Sequence, residues 1–228
     1  MSGYAIPAPP QPSVAIAGSA LRFPVRRIFC VGRNYADHAR EMGHDSDRDP
    51  PFFFTKPADA LVESGSTIPY PPMTDDLHHE AELVVAIGSG GQDIAEENAL
   101  AHVWGYAAGN DLTRRDLQAQ AKSLRRPWDM SKGFDHSAVI GALRPASGGH
   151  ALSGAIRCTV DGALRQQADL ADMIWGVPAI ITHLSRFVAL HPGDLIFTGT
   201  PAGVGPITPG QTVVVEIDGL DPAMVTVG

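Results

Sequence analysis

Two carboxylates one residue apart, Glu80 and Glu82, stand at the head of the apolar run Ala81 to Gly88. Alternate residues of a strand share a face, which puts these side chains about 7 Å apart on the same side, near enough to share one cation. A third carboxylate, Asp111, ends the next hydrophobic run, Val103 to Asp111, where a strand would hand over to the helix-like stretch Leu112 to Ser123. With no cysteine nearby the donor set is hard and all-oxygen. Such a set suits Mg²⁺, with Mn²⁺ or Ca²⁺ as alternatives, better than zinc. By spacing alone, the same residues also suit the solvated face of an edge strand and a helix cap. His78 and His79, beside the pair, are read as ordinary hydrogen-bonded histidines outside the metal shell.

Other segments carry chemistry of a different kind. His38 and Glu41 are three residues apart, so a helix places them on one face as a candidate general-base dyad or as a surface pair. Lys132, in the aromatic-rich stretch Pro127 to Asp135, could neutralise a carboxylate or an enolate, or stand solvated. Arg33 offers a guanidinium where a strand ends. Thr198 to Gly205 has glycines that let backbone N–H groups approach an anion, but it lacks the Gly-Lys-Ser/Thr ending of a phosphate loop. Arg115, Lys122, Arg125 and Arg126 lie on or just after the helix that follows Asp111, as solvated surface cations or as partners for an anionic ligand.

The elements that must position these groups are mostly short strands. Ile28 to Gly32 and Phe52 to Thr55 predict strands, and Ala36 to Met42 a short helix that Gly43 stops. Ala95 to Ala101, Leu112 to Ser123 and Pro178 to Leu190 predict helices. Ile156 to Val160, Asp161-Gly162 and Ala163 to Gln167 predict a hairpin on a type I′ turn, and Val213 to Ile217 with Met224 to Val227 a second strand pair. Strands do not alternate regularly with crossover helices, which excludes a doubly wound sheet and leaves a mixed, mostly antiparallel sandwich or roll. The expected layout is a Pro/Ala-rich arm over residues 1–20 and one domain over 21–228.

Lysine and arginine number 17 against 25 aspartates and glutamates, a net charge of −8, which argues against a nucleic-acid surface and for a small-molecule ligand. Cys30 and Cys158 are the two cysteines, so there is no disulfide framework. No apolar segment reaches the roughly 18 residues of a membrane helix, and no basic region leads into a hydrophobic signal core. These observations predict no membrane partner and a cytoplasmic location.

The order of motifs resembles the fumarylacetoacetate hydrolase family from about Ile28 to Val227. The matching segments are Cys30 to His38, Phe54 to Pro57, His79 to Leu83, Asn110 to Gln118, Pro127 to Lys132, and Phe197 to Gly205. The closest likeness is to the compact acylpyruvase and fumarylpyruvate hydrolase branch. The resemblance implies a mainly β (α+β) fold, a mixed β-sandwich roll with a few short helices, assembled as a homodimer. It implies a divalent metal on Glu80, Glu82 and Asp111, His38 and Glu41 activating water on a lid, and Lys132 beside the metal. Arg33, Gln118 and Thr200 fall on segments that line the family's substrate cavity. The expected reaction is hydrolysis of the carbon–carbon bond of an acylpyruvate, foremost fumarylpyruvate to fumarate and pyruvate. Oxaloacetate decarboxylation and tautomerisation of a 2-oxo-3-enedioate would use the same enolate site. A cation-binding structural module without catalysis is the reading from another class.

Overall fold

The computed structural model describes residues 3–41 and 50–228, without the side chains of Ala39 and Glu41. An eight-stranded mixed sheet forms its centre. Its order runs Phe52–Lys56, Arg27–Gly32, Asp194–Phe197, Ala81–Ile87, Val103–Asp111, Ala138–Ile140, Leu61–Glu63, with Arg144–Pro145 also pairing on Val103–Asp111. All seven residues of Ala81–Ile87 are buried, as a central strand covered on both faces requires. Its alternation divides the apolar interior in two. Leu83, Val85 and Ile87 enter one core cluster, while Val84 and Ala86 enter a second on the opposite face.

A five-stranded sheet, in the order Ala163–Asp169, Ala155–Val160, Thr212–Ile217, Ala223–Val227, Ser66–Ile68, contributes Ile156, Val213, Val215 and Val225 to the larger cluster. A small sheet of Thr113–Arg114, Leu77–His79 and Gly205–Ile207 lies where the carboxylate-bearing segments leave the central sheet. The result is a mixed α+β fold with a few short helices, of the kind expected. Most pairs are antiparallel, but Asp194–Phe197 runs parallel to Arg27–Gly32, Ala138–Ile140 to Leu61–Glu63, and Ala223–Val227 to Ser66–Ile68.

Several local expectations meet a refinement. Asp161 and Gly162 have φ of 51° and 78°, the double positive φ of a type I′ turn, so the hairpin forms as its sequence demands. Its register shifts between Cys158 and Thr159, which makes Arg165 a bulge. The helix expected from Leu112 starts at Arg115, because Thr113–Arg114 pairs with Leu77–His79 instead. Glu96–His102 winds as a 3₁₀ helix rather than an α-helix, with no side-chain cap at Ala95. Ser13–Ala15, inside the segment drawn as an arm, pairs with Arg22–Pro24 and buries Val14 beside Phe23 in the second cluster. Ala36–Glu41 is helical, while Met42 and Gly43, expected to close that helix, lie outside the described residues.

Candidate active site

The backbone brings the three carboxylates together before any side chain acts. Ala81–Ile87 and Val103–Asp111 run antiparallel with Glu82 opposite Gly109 and Ala81 opposite Asn110, and the ladder continues as Asp111 N donates to Glu80 O at 2.9 Å. Glu80 falls at the break between Leu77–His79 and Ala81–Ile87, where its own N–H is taken by Asn110 Oδ1 at 2.9 Å. One oxygen from each of Glu80, Glu82 and Asp111 lies within 4.8 Å of the others, and all three residues are buried. The solvated edge strand is thereby excluded.

Cations surround two of the three. Lys132 Nζ donates to Glu80 Oε2 and to Asp111 Oδ2, each at 2.7 Å, and Arg115 donates to the other Glu80 oxygen at 2.6 Å. Burial pushes the Glu80 carboxyl up, but Lys132, Arg115 and His38 outweigh it and hold the group far below the usual carboxylate range. Lys132 is not a solvated loop lysine. It ends the one-turn helix Asp129–Lys132, is 2% exposed, and stays charged because Asp111 and Glu80 overcome the desolvation that would lower its pKa.

Glu82 is different. It accepts from Gly199 N at 2.7 Å and has no ion-pair partner among the described residues. Burial first, then repulsion from Asp111 and Glu80, drives its carboxyl well above the ordinary value. A divalent cation would supply the counter-charge this arrangement calls for. Three converging carboxylates, one without a counter-charge, form an all-oxygen set that fits Mg²⁺, Mn²⁺ or Ca²⁺. Gly199 can deliver its N–H because it has φ +97° and no Cβ, which would sit 2.7 Å from Asn34 Cβ.

Glu80 and Glu82 open on a cleft that also gathers Arg33, His38, Gln118, Lys132 and Thr200, groups singled out from sequence, while Asp111 is fully buried. His38 is buried on the helix Ala36–Glu41. Glu41 closes that helix, and its side chain lies outside the described residues, so the geometry of the dyad does too. Arg33 sits at φ 60° just past Arg27–Gly32, its guanidinium 5.3 Å from the Phe52 ring centroid. Gln118 is fixed by Arg115, whose Nη1 donates to its Oε1 at 2.7 Å. Of the four cations after Asp111, Arg115 and Lys122 line the cleft, while Arg125 and Arg126 are exposed outside it. His78 contacts Asp76 and Arg115, and His79 contacts Gln166.

Two functional groups escaped the sequence reading. Lys56, in the Phe54 to Pro57 motif, is fully buried, with Nζ 2.8 Å from Asp111 Oδ1 in an ion pair that lacks hydrogen-bond alignment. A lysine among apolar residues ending a strand was the available signal. Gln166 is buried on an otherwise exposed strand, and nothing in its sequence neighbourhood marks it.

Comparison with known proteins agrees with this geometry. Residues 27–227 match the model of the fumarylacetoacetate (FAA) hydrolase C-terminal family. A crystal structure of fumarylpyruvate hydrolase from Pseudomonas aeruginosa in complex with Mn²⁺ and pyruvate is similar at 52% identity and TM-score 0.96, over 99% of both chains. The fumarylpyruvate hydrolase of a Ralstonia species is 42% identical over 82% of this chain and 98% of its own. The mitochondrial oxaloacetate decarboxylase of Dictyostelium discoideum is likewise 42% identical, over 87% of this chain and 92% of its own.

The same comparison corrects one expectation. That decarboxylase and the related oxaloacetate tautomerases of Arabidopsis thaliana and Homo sapiens are mitochondrial, which overturns the cytoplasmic assignment. The physical reason is that two buried free cysteines and a hydrolase-like interior are compatible with any reducing compartment, and none of them encodes an address. Among the described residues no helix is long and apolar enough to cross a membrane. With the family match spanning almost the whole sequence and the carboxylates meeting where its motifs fall, the chain belongs to the fumarylacetoacetate hydrolase family.

Proposed function

We propose that this enzyme hydrolyses fumarylpyruvate to fumarate and pyruvate. The observation that carries the reading is a buried anionic triad, two of whose carboxylates line one cleft with Lys132 and Arg115, the arrangement needed to hold a 2-oxo acid and stabilise the enolate it releases. Its likeness to a fumarylpyruvate hydrolase that binds Mn²⁺ and pyruvate supports the choice of substrate.

Glu80, Glu82 and Asp111 hold the divalent ion, which when bound supplies positive charge to the 2-oxo acid's oxygens. His38, held by Glu41, takes a proton from the water that attacks the 4-carbonyl, and later returns a proton as the carbon–carbon bond breaks. Lys132 keeps a fixed ammonium beside the site where the pyruvate enolate charge develops. Arg33, Gln118 and Thr200 bind and orient the substrate, and Arg115 with Lys122 brings cationic charge to the cleft for its second carboxylate. The chain works as a homodimer, with residues 21–228 as the catalytic domain.

A panel assay tests this. Purified protein with Mg²⁺ is given fumarylpyruvate, acetylpyruvate and oxaloacetate, and pyruvate release is followed. Fumarylpyruvate should give the highest kcat/KM. Turnover of oxaloacetate alone would instead assign decarboxylation, whose enolate needs no attacking water, and the likeness to an oxaloacetate decarboxylase is what keeps that arm in the panel.

A further inference from the structure

Gln166 uses every hydrogen-bonding site its amide has. Oε1 accepts from Ala81 N and from His79 Nδ1, both at 3.0 Å, and Nε2 donates to Thr200 Oγ1 and to Pro201 O, both at 2.8 Å. The residue is 1% exposed although its neighbours Arg165 and Gln167 face solvent. The bulge at Arg165 aims it inward. Gly203 reinforces the contact, because a Cβ there would lie 2.3 Å from Arg165 O, so the 198–205 loop rests directly on the bulge.

One side chain therefore joins the segment between the metal ligands Glu80 and Glu82 to the loop that carries Thr200. It also fixes a proton. A hydroxyl has one hydrogen, and Thr200 Oγ1 already accepts from the Gln166 amide, so its own hydrogen must point elsewhere. No acceptor among the described residues takes it, and Thr200 lines the cleft. We infer that Gln166 is a positioning residue that turns Thr200 into an obligate hydrogen-bond donor toward the 2-oxo acid portion of the substrate. The inference rests on the reading that Thr200 faces substrate.

Gln166→Glu tests it. The carboxyl still accepts from Ala81 and His79, but it has at most one proton for two acceptors. Pro201 O takes that proton, or repels an ionised carboxylate, and either way Thr200 turns its hydrogen inward. Binding of pyruvate to the Mn²⁺-loaded protein is measured by calorimetry for the wild type, Gln166→Glu, Thr200→Val and the double variant, with Mn²⁺ affinity and melting temperature recorded for each. Gln166→Met, similar in shape and without polar hydrogens, is the second 166 variant. Each single change should weaken pyruvate on the order of 10- to 100-fold, the worth of one hydrogen bond to a charged group, and the double variant should be no weaker than Thr200→Val alone. Mn²⁺ affinity should stay at the wild-type value.

Wild-type pyruvate affinity in Gln166→Glu, or losses that multiply in the double variant, would overturn the inference. So would loss of Mn²⁺ affinity in parallel with pyruvate in both 166 variants, which would make Gln166 a purely structural clip. A wild type that binds pyruvate but cleaves no acylpyruvate would remove the hydrolase reading and leave the Gln166 assignment standing.

Discussion

Lys56 and Lys132 grip one carboxylate from opposite sides: Lys56 Nζ meets Asp111 Oδ1 at 2.8 Å while Lys132 Nζ meets Oδ2 at 2.7 Å. Lys56 also donates to the backbone carbonyls of Leu112 and Lys132, tying the end of one strand to the short helix that presents the second lysine. Desolvation and the neighbouring Lys132 lower the Lys56 pKa, and Asp111 opposes them. Lys56→Met should leave the Leu112 carbonyl and Asp111 Oδ1 buried without a partner and cost about 3–5 kcal/mol of stability. Urea unfolding measures this, and a loss below about 1 kcal/mol, the range of a surface pair, would deny Lys56 its structural part.

Metal uptake should release protons. The Glu82 carboxyl is held up by burial and by its carboxylate neighbours, so the metal-free protein keeps its proton to higher pH than an ordinary carboxylate does, and a bound cation must displace it. The sign follows: affinity for Mn²⁺ rises with pH until Glu82 ionises on its own. Calorimetric titrations in buffers of different ionisation enthalpy would count the released protons, and a pH-independent affinity would contradict the assignment of Glu82 as a ligand. Chelation, or Glu82→Ala, should abolish turnover.

Replacing His38 by Ala, or Glu41 by Gln, should lower kcat by roughly 10²- to 10⁴-fold with little change in Mn²⁺ affinity, the range for losing general-base assistance. Wild-type kcat in both variants would remove the dyad. Retained oxaloacetate decarboxylation with lost acylpyruvate hydrolysis would separate the two reactions by their need for water.

Lys122 gives the cleft a pH dependence. Burial, then Arg115 and Arg33, lower its pKa to about 8, so it is cationic below that value and neutral above. An anionic substrate loses one counter-charge as pH rises through this region. kcat/KM for fumarylpyruvate should therefore fall across about pH 8. Acetylpyruvate, with one carboxylate fewer, should fall less, and Lys122→Arg should flatten the profile. Identical profiles for the two substrates and both enzymes would show that Lys122 does not meet the distal carboxylate.

The carboxylate triad was legible because period-two alternation and a strand ending at Asp111 are local facts, and the ladder only had to bring two segments into register. The Asp161-Gly162 hairpin was legible for the same reason. Lys56 and Gln166 were not. Each is defined by groups far along the chain, Asp111 for one and Ala81 with Thr200 for the other. Gln166 is further hidden by the bulge at Arg165, which breaks the alternation that would have pointed to its burial. Lys132 carried a residue type that usually seeks water, and only the carboxylates folded against it make the interior its better solvent.

The pairing of Glu82 with Gly109 limits how this sequence can change length. Inserting or deleting a single residue between Ala81 and Glu82, or between Gly109 and Asp111, would swing one carboxylate to the far side of the central sheet, into the cluster of Leu83, Val85 and Ala108. A change of length beyond the ladder leaves that register intact, so the loops can be remodelled while the charge-bearing pair of strands stays fixed in step.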